Sequence, residues 1–165
     1  MHQVEAFTGF AYLAPWLVFA PVIGLLLKII FGGWLMRIRW GEAAIGTIAS
    51  VASGTTFIIS LLLAYTASIH HGQAVLWELA PWIHVGTLDI NWTFRIDTLS
   101  TAMMLLVSGV GTLIHIYAIG YMHEDVRFKH QENRFARFFV FLNLFIAMMM
   151  ILVSGDSYLM LFVGW

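Results

Sequence analysis

The stretch Leu99–Met122, LSTAMMLLVSGVGTLIHIYAIGYM, contains no Asp, Glu, Lys or Arg. A helix rises about 1.5 Å per residue, so about 20 apolar residues cross a hydrocarbon layer roughly 30 Å thick. This segment is long enough to do so. Helix is its expected form, because backbone N–H and C=O groups in lipid must find partners within the segment. Working outward, further long apolar segments lie at Ala11–Phe31, which carries Lys28, at Ala43–Ile69 and at Phe138–Val153, which is on the short side but has Arg134 and Arg137 to snorkel at its entry. A fifth begins at about Ser157 and reaches the last residue, Trp165. The expected fold is all-α and membrane-integral, with four transmembrane helices plus a truncated fifth over one transmembrane region, residues 1–165.

Composition agrees. Hydrophobic residues make up 61% of the chain and charged residues 10%, against roughly 45–50% and 25% in soluble domains. Mean hydropathy is +0.86. The net charge of −1 and the lack of a basic stripe argue against nucleic acid as a partner. With no cysteine, disulfides and thiolate metal sites are excluded. The start, MHQVEAFTGF, has no positive leader and carries Glu5, so the first apolar segment reads as a mature span.

Basic residues set the expected orientation. Lys28, Arg37 and Arg39 lie at the end of the first span and in the loop after it. Arg127, Lys129, Arg134 and Arg137 lie between the third and fourth spans, and Arg95 alone lies on the other side. The positive-inside rule puts loops 32–42 and 123–137 in the cytoplasm and the N-terminus outside. Lys28, about a turn inside its span, reads as snorkelling.

Between the second and third spans, Leu88, Ile90, Trp92 and Phe94 alternate with Asp89, Asn91, Thr93 and Arg95. A period of two predicts an amphipathic strand. The VGT at 85–87 can turn it back on residues 75–84, giving an outer hairpin over about 75–96. Pro81 restricts the first strand to an edge or a bulge. On the second span Gly46, Ser50 and Gly54 recur every four residues, a small-residue face for close helix packing.

Polar groups inside spans are few, and a charge in lipid costs several kcal/mol. His115, well inside the third span, can take a proton on one ring nitrogen and release one from the other. The plainer reading is a histidine hydrogen-bonded to a neighbouring helix. Asn143 reads as interhelical hydrogen bonding. Asp97 and Asp156 read as helix caps. Arg134 and Arg137, three apart, share a face at the start of the fourth helix. No Gly-rich phosphate loop, dinucleotide fingerprint or helical metal-ligand pair occurs.

The runs FRIDTLSTAMMLLVSGVGTLIHIYAIGYM (94–122) and RFFVFLNLFIAMMMILVSGDSYLMLFVGW (137–165) resemble the antiporter-like membrane subunits of NADH:quinone oxidoreductase (complex I), the subunit L family. The resemblance implies that electron transfer to quinone elsewhere drives protons through such subunits. It implies that NAD, FMN, iron–sulfur clusters and quinone sit on other subunits, with no cofactor or metal here. It implies other complex I membrane subunits and the lipid bilayer as partners, in a bacterial plasma membrane. In that family GW is followed by a glutamate in mid-helix. Ending at Trp165, this chain would be a fragment, inactive alone. His115, Arg137, Asp156 and Asp97 match family positions and are the proton-pathway candidates. The hairpin resembles one that couples neighbouring subunits. A cation/proton antiporter subunit and a non-catalytic membrane scaffold are the alternatives.

Overall fold

The computed structural model describes residues 9–35, 37, 40–71, 73–86, 88–129 and 133–165. Glu5, Arg39 and Thr87 lie outside the described residues, as do 130–132. After a 3-10 turn at Ala11–Leu13 come α1 (Trp16–Leu35), α2 (Gly41–Ile69), β1 (Val75–Val85), β2 (Leu88–Ile96), α3 (Thr98–Lys129), α4 (Asn133–Ser154) and α5 (Tyr158–Gly164). The first four helices are long and apolar enough to cross a membrane. The expected fold, four apolar helices with a small antiparallel hairpin between the second and third, is the observed one. Several boundaries differ. α1 starts at Trp16, after the 3-10 turn, and runs to Leu35, into the expected loop 32–42. The stretch expected as loop 123–137 is helical on both sides of 130–132, because α3 runs on through polar residues to Lys129.

Each long helix turns one stripe inward and leaves large apolar side chains outward. On α1 the stripe is Leu17, Pro21, Gly24, Lys28 and Gly32. On α3 it includes Met104, Ser108, His115, Ala118 and Met122; on α4, Phe135, Phe139, Asn143, Ile146 and Met150. Spacings of three and four keep such residues on one face. Ile30, Leu113, Tyr117 and Phe141 are exposed.

The small-residue face of α2 meets α3. A Cβ on Gly46 would lie 2.7 Å from Ile119, and one on Gly54 would lie 3.8 Å from Thr112. Gly24 is tighter: its added Cβ would lie 2.6 Å from the Ala52 Cβ and 2.7 Å from Asn143 Nδ2. Glycine is what lets α1, α2 and α4 converge there.

In the hairpin Val85 pairs with Leu88, and Gly86 supplies the left-handed turn residue at φ +61°. The register slips between Glu78 and Ala80 and between Pro81 and Ile83, so Pro81 sits between two irregularities. The base of the hairpin packs into the bundle: Phe94 and Ile96 join the core formed by Leu17, Leu63, Met104 and Met150.

Candidate functional site

The inward stripes are not wholly apolar. Lys28, Ser53, Thr56, Ser60, Ser108, His115 and Asn143 are all buried on them. Most hydroxyls bond the carbonyl one turn back: Thr56 to Ala52 (3.2 Å), Ser60 to Thr56 (2.9 Å) and Thr112 to Ser108 (2.7 Å). This back-bonding satisfies them without a neighbour. They also meet across the α2–α3 interface. Ser108 Oγ donates to Ser60 Oγ at 3.2 Å, and the Ser53 and Thr112 hydroxyls lie 3.1 Å apart. The result is a polar row along two facing helices, leading toward His115 one turn beyond Thr112.

His115 is fully buried, and both ring nitrogens face oxygen. Nδ1 lies 2.7 Å from the Gly111 carbonyl. Nε2 lies 2.6 Å from Asn143 Oδ1. The Asn143 amide nitrogen makes only a long contact, 3.5 Å, with the Pro21 carbonyl. Pro21 lies inside α1 and lacks the N–H that would bond the carbonyl four residues earlier.

Lys28 corrects the sequence reading. Its side chain does not snorkel outward. The residue is only 2% exposed, and Nζ donates to the Phe139 carbonyl at 2.6 Å. That carbonyl lies one helical turn before Asn143 on α4. The lysine therefore reaches inward across the α1–α4 contact and ends on the backbone of Phe139, whose ring lies 6.3 Å from that of His115. A signal was present in the sequence. Pro21, Gly24, Lys28 and Gly32 fall three and four apart, and a stripe of small residues on a membrane helix marks a helix contact. A lysine on that stripe points at protein, not lipid.

The other candidates lie elsewhere. Asp97 caps α3 in a reciprocal box: its Oδ1 accepts from the Ser100 N–H at 2.7 Å, and Ser100 Oγ accepts from the Asp97 N–H at 2.9 Å. Asp156 is not a helix cap. Ser157 is, its Oγ accepting from the Met160 N–H at 3.2 Å. The Asp156 carboxylate instead accepts from Arg95 Nη1 at 3.3 Å, and its N–H donates to the Thr93 carbonyl at 3.1 Å. Arg95 Nε also donates to Asp97 Oδ2 at 2.9 Å. One arginine thus ties the hairpin, the start of α3 and the α4–α5 turn together. Burial works to raise the Asp97 pKa, but the bonds from Ser100 and Arg95 outweigh it and hold the pKa below the usual value. Arg95 is shifted the other way, chiefly by its bond to Asp97. From Asp97 to His115 is about 27 Å along α3, so this clasp and the buried cluster are separate. Arg137 is exposed, and among the described residues it enters no ion pair. No group of three His, Asp or Glu among the described residues could hold a metal ion.

Comparison with known proteins gives consistent names. The family model described as NADH-ubiquinone oxidoreductase (complex I), chain 5 N-terminus, matches residues 82–139. NADH-quinone oxidoreductase subunit L of Mycobacterium tuberculosis is 39% identical over 91% of this chain and 22% of its own length. NADH-ubiquinone oxidoreductase chain 5 of Aspergillus niger is 34% identical over 90% and 21%. The Rhodobacter capsulatus subunit L is 33% identical over 90% and 20%. The chain therefore spans about a fifth of the length of these relatives.

Proposed function

We propose that this integral membrane chain, homologous over about nine-tenths of its length to NADH-quinone oxidoreductase subunit L and chain 5 proteins, forms the N-terminal helices of a proton-translocating subunit. The observation that carries the reading is His115. It is a titratable group at full burial, hydrogen-bonded to a second helix and placed at the end of a row of hydroxyls between α2 and α3. Apolar packing alone has no use for such a row. Each buried polar group must be matched at a cost that an aliphatic side chain avoids. A proton relay does use it, since hydroxyls and imidazole both accept and donate.

In this reading the redox chemistry lies on other subunits, with NAD, FMN, iron–sulfur clusters and quinone. This chain supplies polar groups that hold and pass protons when those subunits turn over. Asp97, Asp156 and Arg137 stand as supports of the charge network rather than as redox groups: the two carboxylates are held by Arg95 at the hairpin end, and Arg137 is exposed near the start of α4. The N-terminus faces outward and the basic loops face the cytoplasm of a bacterial plasma membrane. The hairpin, whose tip residue Val85 is 70% exposed, contacts a neighbouring membrane subunit of the complex.

The test is His115→Ala in the assembled complex, reading proton pumping per NADH oxidised beside the amount of complex formed. Pumping should fall while assembly holds. Normal pumping at normal assembly would remove His115 from the path.

A further inference from the structure

The two nitrogens of His115 face two acceptors, the Gly111 carbonyl and Asn143 Oδ1. Only the imidazolium donates from both nitrogens; neutral imidazole has a single N–H. The arrangement therefore suits a charged ring. Yet Lys28, the other buried basic residue among the described residues, ends at the backbone carbonyl of Phe139, whose ring lies 6.3 Å from the imidazole. The lysine is equally buried, and its hydrogen bond is to a neutral carbonyl. The facing helices bring no compensating carboxylate. Among the described residues, α2 carries only Glu42, engaged with His123 near the helix ends. Arg134 and Arg137 of α4 are exposed, and α5 carries no acid. Two positive charges without an anion in a low-dielectric interior repel strongly. One charge can be accommodated by dipoles.

Asn143 is placed to choose between them. Its Oδ1 faces His115, while its amide nitrogen faces α1, where the 3.5 Å contact with Pro21 holds it weakly. That nitrogen also lies against Gly24, one turn before Lys28 on the same face of α1. The lysine ends at the Phe139 carbonyl on α4, one turn before Asn143, so the amide and the amine meet the same stretch of the α1–α4 contact. Turned over, the amide would donate to a neutral Nε2 and present its oxygen to α1 and the lysine.

Resting on the relay reading above, we propose that Lys28 and His115 are alternative seats of a single buried positive charge, exchanged when the Asn143 amide turns over. With oxygen toward His115, the ring is imidazolium and Lys28 a neutral amine. With nitrogen toward His115, the ring is neutral and Lys28 an ammonium. In the exchange one N–H bond at Lys28 Nζ breaks and one forms at His115 Nε2. Net charge is unchanged, and no oxidant or further reactant is needed.

The test is solid-state nitrogen NMR of the full chain in its membrane complex, labelled at histidine and lysine. The His115 and Lys28 signals are assigned by their loss in His115→Gln and Lys28→Met. In the unmodified protein near neutral pH, the charged fractions of the two groups should sum to about one, as for a coupled pair sharing one proton. In Lys28→Met the imidazolium-to-neutral ratio of His115 should rise about tenfold. In Lys28→Arg, whose charge is permanent, it should fall by a comparable factor. Opposite responses separate charge exchange from loss of packing, which would move both variants alike. A sum near two or near zero, or equal ratios in all three proteins, overturns the proposal. Proton pumping is read separately. A moved ratio with unchanged pumping would keep the exchange and remove the relay function, whereas lost pumping in His115→Ala with unmoved ratios would do the reverse.

Discussion

The Arg95 clasp and the Lys28–His115 cluster are both built from basic groups held by oxygen, and they obey opposite rules. At the clasp one arginine meets two carboxylates, and Arg95 and Asp156 remain about half and one-third exposed. Water screens the clasp and shares its hydrogen bonds, so losing a partner costs little. Inside the bundle two basic groups meet no carboxylate at all. Their partners are two backbone carbonyls and one amide oxygen. These groups are buried, and an unpaired polar group in a low-dielectric interior is costly, so each contact there matters more. Opposite charges fasten the hairpin end. Two basic groups that share one charge make, in the exchange proposed above, a site that can change state.

That contrast predicts the largest effects where side chains cannot move aside. Gly24→Leu drives a branched side chain against Ala52, whose Cβ is one bond from backbone, and against the Asn143 amide. Overpacking of this kind should cost about 3 kcal/mol. It should lower the unfolding midpoint of the membrane-reconstituted protein, followed by helical circular dichroism. An unchanged midpoint would mean that α1 is free to shift, which breaks the picture of a tight junction. Asn143→Leu is next. It keeps the volume and removes the acceptor of His115 Nε2. The stranded donor should cost about 2 kcal/mol in the same measurement. If instead the variant is as stable as the parent, the ring is satisfied by its Gly111 bond alone and the cluster is looser than the clasp.

The spans were legible because apolar length is a blunt signal: few 24-residue runs without a charge can be anything else. The hairpin was legible through the alternation from Leu88 to Arg95. The far end of α3 was not. A criterion of apolar length stops at Met122, whereas the helix continues through polar residues to Lys129. Asp156 and Ser157 both make good caps, and only the tertiary contact with Arg95, 61 residues away in sequence, decides which one caps. Lys28 failed for a similar reason. Near the end of a span a lysine usually reaches for water, and the stripe of Pro21, Gly24 and Gly32 that turns it inward had to be weighed against that habit. His115 stood out by itself, but its two acceptors could be seen only once α3 and α4 were packed.

Effects at the clasp should be smaller and depend on pH. Asp97→Ala removes the α3 cap and should cost about 1 kcal/mol. Because the folded protein holds the Asp97 pKa below its ordinary value, the carboxylate contributes its stabilisation above the ordinary value of 3.8. That contribution is lost as pH falls through the lower, folded value. The difference in unfolding midpoint between the parent and Asp97→Ala should therefore be present at pH 7 and shrink below about pH 4. A difference that does not change with pH would assign the effect to the hydrogen bonds of the neutral side chain.

Asp156→Asn is the smallest change. It leaves the backbone bond from residue 156 to Thr93 in place, and with it the bridge between Phe94 and Gly155. Only the partly exposed contact with Arg95 at 3.3 Å is weakened, a loss of about 0.5 kcal/mol that salt should mask. The variant therefore asks what fastens the hairpin to α4. If the Asp156→Asn midpoint rejoins that of the parent in high salt, the backbone bridge and the burial of Phe94 and Ile96 hold the hairpin, and the arginine only trims it. A large loss that salt does not reduce would mean that the clasp is sheltered from solvent like the interior cluster, and the two regions would no longer follow different rules.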